Sequence, residues 1–175
     1  MESLFERISA YNIFNNIIPG AVFCYFFKLF FAVDLGGDNT IYNLCLFYFW
    51  GVFVSRVGSL IIEKLAIKTK FVRYSNYTDY LKASRADGDI KMLLEVNNML
   101  RTLSAVFLCL IAVFVLSFAF DRYCIQYIDF PQFSFLGVIT SGLLFLTMMF
   151  AYKKQTSYIV KRIKSGLAQS SISAG

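Results

Sequence analysis

Four apolar runs, each long enough to cross a bilayer as a helix, decide what this chain can fold into: Ile13–Val33, Ile41–Ile62, Thr102–Phe120 and Phe130–Tyr152. A helix needs roughly 20 apolar residues to span about 30 Å of hydrocarbon. One long polar stretch, Glu63–Arg101, separates the second run from the third and carries thirteen charged residues. A soluble chain of 175 residues can bury a core, but not four runs of this length. Composition agrees, with 58% apolar and 18% aromatic residues and a mean hydropathy of +0.60. The expected fold is all-α: residues 1–175 form a polytopic four-helix transmembrane bundle, with residues 63–101 as a cytosolic helical insertion and 153–175 as a basic cytosolic tail.

Lysine and arginine give the expected topology. Arg7, the eight cations of the polar stretch and five in the tail (Lys153, Lys154, Lys161, Arg162, Lys164) account for fourteen of the seventeen. The short loops Asp34–Thr40 and Asp121–Asp129 hold one cation, Arg122, among five charges. The positive-inside rule then places both termini and the insertion in the cytoplasm. Glu2 and Glu6 stand where a signal peptide would be basic, so the first span is expected to be retained.

Several residues stand out along the spans. Ser3–Glu6 forms a capping-box pattern, and Leu4, Phe5, Ile8 and Tyr11 share a helical face, so a short interfacial helix is expected before the first span. Pro19, followed by Gly20, predicts a kink within that span. Gly51, Ser55 and Ser59 repeat every four residues, and Gly137 and Ser141 repeat that spacing in the last span. Small residues on one ridge let helix backbones approach closely in lipid, and the first ridge is expected between subunits of a homo-oligomer. Ala105, Ala112 and Ala119 offer a similar ridge on the third span. Trp50, near mid-span, is expected inside the bundle.

Two charges lie within the spans. Lys28 can snorkel outward. Arg56 is either a charge lining a pore or proton path, or a side chain snorkelling about 10 Å to the end of its span; the second reading is preferred.

Within the insertion, Ser75 or Asn76 can cap a helix over Tyr77–Asp87, and Gly88 can end it. Asp89 can start a second helix that meets no breaker before Phe120, about 31 residues or roughly 46 Å. Leu65 and Ile67 are expected to cover its protruding apolar face. Asn97 lies on that seam, where asparagine can fix helix register; a solvated turn is the alternative. In the tail, Ile159, Val160 and Ile163 interleave with cations as in an interfacial helix, and the stretch from Ser165 reads as disordered.

The chain has no histidine, which excludes a histidine base, a histidine-ligated metal and a serine–histidine triad. Phosphate-cradling glycine loops are absent too. Cys24, Cys45, Cys109 and Cys124 are isolated rather than paired as in zinc or redox motifs; a Cys45–Cys124 disulfide near the outer face remains open. No catalytic, cofactor or metal residues are expected.

The stretch Tyr11–Gly20 (YNIFNNIIPG), together with Tyr77, Tyr80, Ala83, Ser84, Asp87 and Val96–Asn98, resembles small four-span membrane proteins of bacterial antiphage defence systems, such as the membrane subunit of the Kiwa system. That resemblance covers the general layout and about thirty positions. It implies an inner-membrane homo-oligomer that holds a cytosolic DNA-binding effector and responds to phage attack, and it carries over no catalytic residue. Two functions are thereby set in competition. One is an oligomeric scaffold or sensor that docks a soluble protein through Lys82, Arg85, Lys91 and Asn97. The other is a channel-like effector that depolarises the membrane, for which two charged residues within the spans are few. Membrane lipids are expected partners of either, and direct nucleic-acid binding is not expected.

Overall fold

The structure is a computed structural model that describes the backbone of residues 2–123 and 135–173 and the side chains of 13–119 and 135–168. Its elements are α1 (Glu2–Phe31), α2 (Thr40–Val57), a π-helical segment (Gly58–Glu63), α3 (Lys64–Lys68), α4 (Tyr77–Ala86), α5 (Asp89–Tyr123) and α6 (Phe135–Ser173). Four helical rods are long and apolar enough to cross a membrane: Ile13–Phe31 within α1, Thr40–Lys68 through the π segment, Asp89–Ala119 and Phe135–Ala168. The chain is an all-α bundle and a multi-pass membrane protein. Residues 124–134, between α5 and α6, lie outside the described residues, and with Cys124 among them so does the Cys45–Cys124 pairing.

α1 and α2 are antiparallel and touch through backbone. A Cβ added to Gly20 would sit 2.8 Å from the Gly51 nitrogen, and one added to Gly51 would sit 2.6 Å from the Asn16 carbonyl carbon. Only glycine permits this approach. The ridge expected between subunits therefore meets α1 of the same chain at Gly51. α1 also runs as one helix from Glu2 through Pro19, joining the leading helix expected before the first span to the span itself. Pro19 and Gly20 are both buried, so packing against α2 supports the helix where proline weakens it.

Phenylalanine fills the core between α1, α2 and α5. Phe31 lies 4.6 Å from Phe114, Phe26 lies 5.5 Å from Phe107, and Phe23 lies 5.0 Å from Trp50, which is thus inside the bundle. Val54, Ala105, Val106 and Leu110 are fully buried beside them. Lipid tails are as apolar as these side chains, so close van der Waals packing holds the helices together. On α5 only Ala105 of the alanine ridge is buried, against Gly58; Ala112 is exposed.

The turn between α1 and α2 is tied by side chains. Lys28 donates to Asp34 at 2.6 Å, and Asn39 caps α2 by accepting from the Ile41 and Tyr42 amides. That lysine bond lowers the Asp34 carboxyl below its ordinary range.

α5 and α6 are about 52 Å and 58 Å long, well beyond the hydrocarbon thickness. Their surplus packs together with α4 as a helical head at the polar end. Here two expectations fail. α6 continues as a helix to Ser173, where an interfacial tail with a disordered end was expected. No glycine or proline lies between Gly142 and Gly166, and Ile159 and Ile163, one turn apart, are buried against Ala83 and Ile90. Leu65 and Ile67 are exposed; α6, not α3, covers the apolar face of α5. α3 contributes Ala66, buried with Val72 and Tyr152. The chain leaves it through Lys70 at φ 57°, a conformation costing about 1 kcal/mol outside glycine, closed by a bond from the Val72 amide to the Ala66 carbonyl.

Candidate functional site

The head is fastened by polar bonds at three levels. Nearest the spans, Arg101 pairs with Glu63, and the Tyr74 and Tyr152 hydroxyls bond to each other. Tyr152 is fully buried; burial first, then that partner, pushes the Tyr74 phenol well above the usual tyrosine range. One turn farther out, the Thr156 hydroxyl is 3.0 Å from Asn97 Oδ1 and 2.9 Å from the Tyr152 carbonyl. A hydroxyl has one proton, so these acceptors share it. At the outer level Arg162 reaches back to the α4–α5 turn, donating to Asp87 at 2.6 Å and to Asp89 at 2.8 Å. That bond holds the Asp87 carboxyl below its ordinary range.

An apolar groove of about 270 Å³ opens on this head, lined by Tyr74, Tyr77, Tyr80, Leu94, Val160 and Ile163. Tyr77 is 72% exposed and stacks on Tyr80 at 6.4 Å. Tyrosine offers a broad apolar face with a polar tip at low entropy cost, which suits a protein-binding surface. Exposed Arg73 and Lys161 adjoin the groove in sequence.

Lys82 and Arg85 are exposed on α4, and Lys91 is exposed on α5. Asn97, expected among the docking residues, is 1% exposed and no partner can touch it. It is a buried polar joint between α5 and α6, since a half-polar seam must satisfy its amide internally. The tyrosine groove and the Arg162 clasp were not anticipated. Tyr77 and Tyr80, three apart on a short polar helix, were the available signal; Arg162 pairs across more than seventy residues and left none.

A second polar feature lies lower, between α1, α2 and α5. Ser55 and Ser59, expected as a packing ridge with Gly51, instead line a cleft of about 310 Å³ with Arg56, Glu95 and Arg101. The ridge leaves α1 after Gly51 and faces this opening. The Ser59 hydroxyl bonds back to the Ser55 carbonyl at 2.9 Å. Arg56 is exposed. Gly137 packs against the Phe114 and Phe30 rings, and Ser141 is fully buried with no hydrogen-bond partner for its hydroxyl among the described residues. Lys28 is at the opposite end, on Asp34. No group of three or more metal-ligating side chains comes together among the described residues.

No family model, curated protein or solved structure matches the chain.

Proposed function

We propose that this chain is a non-enzymatic inner-membrane subunit of a bacterial antiphage defence system, an oligomeric scaffold or sensor whose head docks a cytosolic effector. The observation that carries this reading is the head itself. Two membrane helices are extended by several turns, fastened by buried and charged bonds, and topped by an exposed tyrosine groove. A span needs none of this to cross a bilayer. The cation distribution supports a cytoplasmic position for the head and for both ends of the chain. The layout resembles that of four-span defence proteins. The effector's contact surface is apolar with an acidic rim, complementary to the groove and to Lys82, Arg85 and Lys91.

The alternative is a channel-forming effector, and the polar cleft at Arg56 is the observation on its side. The two readings predict opposite mutant patterns. Reversing Lys82, Arg85 and Lys91 to glutamate leaves insertion intact, because Lys64, Lys68, Lys70 and the α6 cations remain. It lowers effector capture by about tenfold and reduces its salt dependence, as lost rim charges do. Arg56→Gln leaves capture unchanged. A channel instead loses conductance in Arg56→Gln and is indifferent to the triple reversal. Membrane potential and effector capture measured on both mutants decide between them.

A further inference from the structure

The cleft carries a proposal of its own, independent of docking. Arg56 is unusual for its depth. Arg56 lies seven residues, about 10 Å, on the apolar side of Glu63, and no carboxylate pairs with it among the described residues. Glu95 lies six residues, about 9 Å, on the polar side of Arg101 and has no cation paired with it there either. Arg101 marks the level between them, since its carbonyl approaches Gly58, two residues beyond Arg56. Unpaired charges beside hydrocarbon are costly and take a counter-group where one is within reach.

The order of these groups along the bundle is informative. From the middle of the span toward the polar end come an apolar wall, a cation and a carboxylate. Tyr48 and Val52 form the wall, two turns and one turn before Arg56. An aminophospholipid entering from the bilayer presents its own groups in the matching order: acyl chains, phosphate, then ammonium. Arg56 and Glu95 are about 12 Å apart along the axis at the backbone.

We propose that this cleft is a binding site for the zwitterionic headgroup of a primary-amine phospholipid, with its phosphate on Arg56 and its ammonium on Glu95. A purely anionic lipid would satisfy Arg56 and leave Glu95 opposed to its charge. A quaternary amine would fit the charge but has no N–H to donate.

The test is native mass spectrometry of the full chain released from nanodiscs of phosphatidylethanolamine, phosphatidylcholine or phosphatidylglycerol with identical acyl chains. Wild type retains phosphatidylethanolamine over each of the others by about tenfold, the worth of one charge-assisted hydrogen bond. Glu95→Gln reduces retention of phosphatidylethanolamine to that of phosphatidylcholine. Arg56→Gln reduces retention of every phospholipid, and Arg56→Lys restores part of it; the lysine variant also serves if the glutamine variant does not fold. Equal retention of the three lipids by wild type overturns the proposal. So does preference for phosphatidylglycerol unaffected by Glu95→Gln, which describes an anion site. Displacement of the lipid by equimolar soluble glycerophosphoethanolamine also overturns it, because the ligand is then the free headgroup and not the lipid.

Discussion

Gly51→Ala abolishes the folded bundle, although it adds a single methyl group. The new Cβ would lie 2.6 Å from the Asn16 carbonyl carbon, and the obstacle is the backbone of α1 rather than a side chain that can turn away. Overpacking against movable side chains costs about 1–3 kcal/mol. Here α1 must shift as a body, losing contacts such as Phe23 with Trp50, so the cost exceeds about 3 kcal/mol. Alanine's better helix propensity returns only about 1 kcal/mol. Gly142→Ala is the control: its Cβ meets nothing within 4 Å, and the variant keeps or slightly gains stability. Thermal unfolding followed by size exclusion in mild detergent reads both. A Gly51→Ala chain as stable as Gly142→Ala would mean that α1 and α2 do not cross here. A monomeric but folded Gly51→Ala chain would return the ridge to a contact between subunits.

Arg162→Glu detaches α4 while leaving the four spans in place. α4 has ten residues, too short to hold helical structure alone in water. It depends on Ala83 packing against Ile90, Ile159 and Ile163 and on the Arg162 clasp. Reversal of that charge sets three carboxylates together at the α4–α5 turn. Deuterium uptake over Tyr77–Ala86 rises by at least an order of magnitude in rate, with uptake in the α5 core unchanged. Asp87→Arg added to Arg162→Glu restores protection in part, which mere loss of arginine packing would not allow. Acid acts on the same clasp. The Asp87 carboxyl is held below its unfolded value, so its contribution is present above that value, about pH 4, and is lost as pH falls through the depressed native one. The head stays closed at pH 5 and opens only in stronger acid; opening between pH 5 and 6 would contradict the assignment.

The spans were legible in the sequence because apolar length is a local property. So were α4, the Gly88 break and the uninterrupted α5, since caps and breakers act within a few residues. The fate of α6 beyond Tyr152 was not legible. Basic residues interleaved with Ile159 and Ile163 fit a lipid surface as well as a protein one, and the choice depends on α4 and α5 lying opposite. Asn97 shows the same limit: its seam position was readable, but its burial required Thr156, nearly sixty residues away. The π-helical segment at Gly58–Glu63 left no pattern distinguishable from an α-helix. Gly51 carried a true packing signal with the wrong partner, because spacing reports a ridge and not what lies against it.

The central claim is that the head, held by α4 and the overhanging ends of α5 and α6, is a docking surface. Site-specific photo-crosslinking in intact bacterial cells tests it most directly. A photoreactive phenylalanine analogue replaces Tyr77 in the groove or, as a control, the exposed Phe118 in the span. The account predicts one discrete adduct between the Tyr77 position and a soluble protein, lost when Lys82, Arg85 and Lys91 are reversed and absent from the Phe118 position. No protein adduct at Tyr77, or the same adducts from both positions, would contradict it.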